Sequence, residues 1–183
     1  MDKINLDSKF MKTYTYILYF FIFSFLGWIL ETTYCFLISG HFVNRGFLYG
    51  PLCPIYGCGA IILIIFLSKY KNNSLKLFTY SAIVFSAFEY YVSYLLEVLF
   101  KEHWWDYSTD FLNLNGRISL FYSFAWGIIA IIVIGHIYPF IEKKFNIFLS
   151  KFNKKTITIF SNILVLLFVS DTIISCIRYL NIF

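Results

Sequence analysis

Residues 14–38 read Tyr-Thr-Tyr-Ile-Leu-Tyr-Phe-Phe-Ile-Phe-Ser-Phe-Leu-Gly-Trp-Ile-Leu-Glu-Thr-Thr-Tyr-Cys-Phe-Leu-Ile, and they hold one charged side chain, Glu31. As a helix rising 1.5 Å per residue this run covers roughly 37 Å, more than the hydrocarbon core of about 30 Å. It lacks a small-residue cleavage site and exceeds a signal-peptide core in length, so it reads as a retained membrane helix. Four further apolar runs follow, at about 51–68, 76–100, 117–140 and 156–180. None alternates with a period of two, which excludes a β-barrel, and backbone polar groups in lipid must pair within each segment. The expectation is an all-α polytopic bundle of five transmembrane helices forming one transmembrane domain over residues 1–183.

Composition agrees. The chain is 60% hydrophobic and 14% charged, against roughly 25% charged in an ordinary soluble domain. The net charge of +5 comes from residues lying between the apolar runs. They form no aromatic-interleaved basic patch, so nucleic acid is not an expected partner. In a five-span arrangement one side carries Lys3, Lys9, Lys12, Lys69, Lys71, Lys76, Lys143, Lys144, Lys151, Lys154 and Lys155. These are 11 of the 15 basic residues. The other side carries Arg45, Lys101, Arg117 and Arg178. The positive-inside rule then puts the N-terminus in the cytoplasm and the intervening loops 40–57 and 101–117 outside. The abundance of Phe and Tyr is credited to codon bias and argues for nothing by itself.

The two outer loops differ from the Lys- and Asn-rich cytoplasmic ones. The first, residues 40–57, holds four Gly and two Pro, which disfavours a straight helix before Pro54. The second contains Trp104, Trp105 and Asp106 and then Asn115-Gly116-Arg117. An interfacial aromatic belt accounts for the tryptophans; a polar site would account for the acid and the Asn-Gly-Arg as well.

Charges inside the spans point to the same side. Glu31, Glu89 and Glu97 lie in the first and third runs, and Ser86, Glu89, Ser93 and Glu97 share one face of a helix. Asp171, Ser175 and Arg178 share a face in the last run. A carboxylate at mid-membrane costs at least ~2.5 kcal/mol and therefore faces the bundle interior and a partner. The reading is that Glu31, Glu89 and Glu97 converge with Arg45 and Arg117 beneath the outer loops. Asn44, Trp104, Trp105, Asp106 and Asn115 complete the candidate binding set. Buried ion pairs that only fix helix packing are the competing account. Glu31 followed by Asn44-Arg45-Gly46, and Glu97 followed by Asn115-Gly116-Arg117, make a short internal echo.

Cys35, Cys53, Cys58 and Cys176 show no Cys-x-x-Cys spacing and no accompanying His cluster, so they read as small apolar residues, with a Cys53–Cys58 bridge as the alternative. No metal site and no cofactor is expected. His41, His103 and His136 fall on different segments, and no Ser-His-Asp set or His-Glu-x-x-His motif occurs, so the reading leans away from an enzyme.

The stretches Phe-Leu-Gly-Trp-Ile-Leu-Glu31, Phe42-Val-Asn-Arg-Gly-Phe-Leu-Tyr-Gly-Pro-Leu-Cys-Pro-Ile-Tyr-Gly57, Trp104-Trp-Asp-Tyr-Ser108 and Leu112-Asn-Leu-Asn-Gly-Arg-Ile118, with Glu89, resemble a bacterial membrane family. It is the one described as putative ABC-transporter type IV permeases (the CmpB family). The resemblance covers roughly residues 20–140. It implies a multi-pass permease-like protein of the cell membrane. The chain has no Gly-x-x-x-x-Gly-Lys-Ser/Thr phosphate loop, so ATP would be handled by a separate ATPase subunit, and a bundle this small would join such a subunit or form a homo-oligomer. Three functions are weighed: a permease subunit with a polar path, a cell-envelope enzyme acting on a lipid or polar headgroup at the outer leaflet, and a membrane scaffold.

Overall fold

The structure is a computed structural model and describes residues 9–180; Lys3, counted above among the cytoplasmic cations, lies outside the described residues. Among the described residues six α-helices and one short hairpin follow one another: α1 Lys9–Ser39, α2 Pro54–Ile62, α3 Ser74–Phe100, the strands β1 Asn113–Leu114 and β2 Ile118–Ser119, α4 Leu120–Ile132, α5 Tyr138–Leu149 and α6 Lys154–Tyr179. Four continuous helices among these residues are long and apolar enough to cross a membrane: Met11–Ser39, Ser74–Phe100, Leu120–Leu149 and Lys154–Tyr179. The second run, Pro54–Tyr70, is a shorter apolar helix.

Local chemistry sets the ends. Pro54 opens α2, where its missing N–H is not needed. Asn73 and Asn153 cap α3 and α6, accepting from the backbone N–H groups of Lys76 and Thr156. Lys101 ends α3 in the left-handed conformation at φ 60°.

Two boundaries differ from the sequence reading, each for a visible reason. The fourth run begins at Leu120 rather than 117, because Arg117 closes the hairpin and Ser119 caps the helix by accepting from Tyr122 N–H. It also continues to Leu149, so most of the 142–155 segment assigned to a loop is helical. Pro139 does not stop it. The π turn Val133–Ile137 lies directly before α5 and absorbs the break that a proline ring and its lost N–H would impose.

The chain divides into two compact units, residues 1–61 with 142–183 and residues 62–141. In the first, Met11, Leu18, Leu149 and Ile157 form the core, with Tyr14, Phe145 and Leu164 against it. In the second, Leu63, Leu67, Leu77, Phe85, Ala130 and Ile134 do so. The buried side chains of α3, Leu77, Ser81, Phe85, Glu89 and Ser93, recur every four residues, the single stripe of a helix packed on one side. Elsewhere the long helices expose large apolar side chains such as Leu30, Leu37, Ile83, Phe121 and Leu166. An apolar surface of that extent is stable only under lipid or a partner.

Candidate functional site

The first unit builds a polar assembly around the loop after α1. Glu31 accepts a hydrogen bond from the Tyr56 hydroxyl. One turn earlier on α1, Trp28 Nε1 donates to Asn44 Oδ1 at 2.6 Å, and the Asn44 amide donates to the Tyr49 carbonyl at 2.8 Å. Cys53 N–H donates to the Ser24 carbonyl at 3.0 Å, and the thiol lies 3.8 Å from the Arg45 carbonyl as its donor. The loop is thereby held against α1 by backbone and side chain alike.

The last helix closes it. Asp171 Oδ1 accepts from Tyr49 N–H at 3.0 Å and Oδ2 accepts from Gly50 N–H at 2.8 Å. Ser175, one turn on, also donates to Oδ1 at 3.2 Å. The Arg178 guanidinium stands 4.4 Å from the Tyr49 ring centroid, a cation–π distance. Asp171 was absent from the candidate set drawn from sequence. Its signal was present as an acid within a span sharing a face with Ser175 and Arg178; what was not legible was that its partners are backbone groups.

Burial pushes the Cys53 thiol up to about 11; the nearby Glu31 carboxylate adds to this and the Arg45 guanidinium opposes it. Glu31 and Arg45 thus both lie close enough to Cys53 to act on it. The thiolate is the reactive form, so Cys53 in the folded protein is expected to resist maleimide at pH 8 and to label faster as the pH rises towards 11. Peptide mapping of native against denatured protein checks this; equal labelling rates would refute the burial. All four cysteines are free thiols.

In the second unit Glu89 is 5% exposed, within the span of α3. Its Oε1 accepts from the Tyr107 hydroxyl at 3.0 Å and its Oε2 from Trp126 Nε1 at 2.9 Å. Tyr107 stacks on Tyr122 with ring centroids 4.3 Å apart. Both carboxylate oxygens are satisfied by neutral donors, one from the loop after α3 and one from α4.

Two turns further along, Glu97 pairs with Arg117, and His103 Nε2 stands 3.8 Å from Glu97 Oε1. The Arg117 guanidinium covers the Tyr90 and Tyr94 rings at 5.4 and 5.7 Å, and Asn115 donates to the Tyr90 hydroxyl at 3.0 Å. Glu97, Asn115 and Arg117 are therefore one cluster. Trp105 serves it indirectly by donating to the Arg117 carbonyl at 3.0 Å. Asp106 turns its own loop by accepting from Ser108 N–H at 2.8 Å and from the Ser108 hydroxyl at 3.1 Å. Trp104 packs edge-on against Phe100. At Gly116, φ is +67° and a Cβ would stand 2.6 Å from Asp106 Oδ1, so the Asn-Gly-Arg turn needs its glycine.

Among the described residues no group of three or more His, Cys, Asp or Glu side chains could hold a metal ion. No curated protein and no solved structure matches the chain. The family model described as putative ABC-transporter type IV matches residues 18–176, a span containing both polar assemblies, and the chain is a multi-pass membrane protein belonging to that family.

Proposed function

We propose that this protein is the membrane subunit of a solute transporter in the cell membrane. In this reading it crosses the bilayer five times with its N-terminus in the cytoplasm, Pro54–Tyr70 supplying the short fifth span. Each unit offers outward polar groups to a polar solute, Glu31, Asn44 and Arg45 in the first and Glu89, Glu97, Asn115 and Arg117 in the second, where Trp104, Trp105 and Asp106 shape the loop after α3. The lysine bias supports the orientation and the family match supports transport; in this reading a separate subunit handles ATP.

The observation that carries this reading is Glu89. A carboxylate placed within a span for architecture is expected to meet a cation, and Glu89 meets a phenol and an indole instead. No basic side chain among the described residues pairs with it, so its compensation is left to a visiting group. The scaffold reading is favoured only at Glu97, whose charge Arg117 already compensates.

Glu89→Gln separates charge from packing. A glutamine there can accept from Trp126 through its carbonyl and donate to the Tyr107 oxygen through its amide, so the variant is expected to melt within about 1 kcal/mol of wild type. Cells lacking the protein would be complemented with wild type, Glu89→Gln or Arg117→Lys, and accumulation of a panel of radiolabelled polar solutes followed. Wild type is expected to restore one class of solute and Glu89→Gln to lose it at normal membrane levels. Full restoration by both variants would sink the transport site.

A further inference from the structure

A second place in the second unit lies at the start of α4. A groove of about 710 Å³ is lined by Thr109, Asp110, Phe111, Leu120, Phe121, Tyr122 and Phe124. Its volume is that of a site for a small organic molecule. Phe111, Phe121 and Phe124 are 80, 72 and 57% exposed, so the aromatic walls are open to a ligand rather than filled by the protein.

Apolar side chains facing outward on a membrane helix are ordinary; an anchored carboxylate among them is not. Asp110 is held on three sides. Its N–H donates to the Tyr107 carbonyl at 2.9 Å, its carbonyl accepts from the Asn113 amide at 2.9 Å, and its Oδ2 accepts from the buried Ser119 hydroxyl at 3.1 Å. Its Oδ1 takes no hydrogen bond from any described residue, and no basic side chain among them pairs with it. The result is a rigid, uncompensated negative charge at the edge of phenyl and phenol rings. Carboxylate and ring faces attract the same kind of group, a cation carrying its own apolar surface.

We propose that this groove binds a hydrophobic organic cation, with its charge at Asp110 and its apolar body against Phe111, Phe121, Tyr122 and Phe124. Tyr122 belongs to both the groove and the stack with Tyr107, whose hydroxyl bonds Glu89. The groove is thus joined to the carboxylate within the span by two rings and one hydrogen bond. This deepens the transport reading by naming a substrate class, yet binding here does not require that anything be transported.

The test is equilibrium dialysis of labelled tetraphenylphosphonium against the full-length protein in an uncharged detergent, with tetraphenylborate as the anion of the same shape. Saturable binding of the phosphonium and none of the borate is expected. Asp110→Asn keeps the Ser119 bond and should weaken binding at least about tenfold, since it removes the charge. Phe121→Ala, at an exposed position, should weaken it severalfold. Thermal melting of both variants at the wild-type temperature excludes misfolding as the cause. Absence of saturable phosphonium binding would overturn the proposal, even where an amine-headed lipid co-purifies. So would equal affinity for the two ions, or undiminished binding by Asp110→Asn. Because the readout is binding alone, such a failure leaves the complementation result at Glu89 standing.

Discussion

Gly57→Val is expected to destabilise the protein by roughly 3 kcal/mol or more, the severe end of overpacking. Gly57 on α2 lies directly against α1. A Cβ added there would stand 2.6 Å from the Phe20 carbonyl oxygen and 2.7 Å from Phe20 Cδ2, with the Ser24 hydroxyl closer still. A backbone oxygen cannot swing aside as a side chain can, so the helices must part. The contact is reciprocal, because the room beside Gly27 on α1 is taken by the Tyr56 side chain. Parting the helices therefore also draws the Tyr56 hydroxyl from Glu31 and leaves a carboxylate in the span without its donor. Thermal unfolding in detergent measures the loss, and a variant melting within a degree or two of wild type would show that the helices are not packed this closely.

Asp171→Ala should cost about 3–6 kcal/mol, because it removes the charged acceptor of two backbone N–H groups, each such bond contributing roughly 1.5–3 kcal/mol. The Tyr49 and Gly50 N–H groups lose their acceptor, and the Ser175 hydroxyl loses one as well. Asp171→Asn keeps one acceptor oxygen and should retain part of the stability. The effect is local before it is global. Hydrogen exchange is expected to rise at the backbone N–H groups of Tyr49 and Gly50, while the α3 interior stays protected. Unchanged exchange across residues 44–53 in Asp171→Ala would show that α6 does not hold the loop.

These two positions show different degrees of legibility. Gly57 could be seen in the sequence as the last glycine of the Gly- and Pro-rich stretch 40–57, which was read only as disfavouring a straight helix before Pro54; its actual work is close helix packing, which depends on the facing Phe20 and Ser24. Asp171 was visible as a charge in an apolar run, but no periodicity tells whether a carboxylate will meet a guanidinium, a hydroxyl or a backbone amide. Glu97 and Arg117 were grouped in advance only as members of a wider set with Glu31, Glu89 and Arg45; that these two pair with each other was decided by the fold. The partners of Glu89 were not, and neither was the groove at Asp110, since nothing in the residues 109–111 announces that aromatic side chains from the start of α4 will stand beside them.

The continuation of the fourth helix through Pro139 carries the same lesson. The run was read to residue 140, past Pro139, and its further course to Leu149 rests on the π turn that removes the proline's conflict, a property of the folded backbone. The asparagine caps at 73 and 153 were equally local, and both sit at the starts of runs already legible as helical.

Sequence by itself determined that this chain forms apolar helices, where its long apolar runs lie, and which segments carry the basic residues. Those properties depend on residue type and spacing along the chain, and transfer into lipid acts on each segment nearly independently. Tertiary structure alone decided that Glu89 rests on Tyr107 and Trp126, residues 18 and 37 positions away, and that Asp171 holds an N–H 122 positions away. Hydrogen bonds are short and directional, so their partners are chosen by how helices and loops pack.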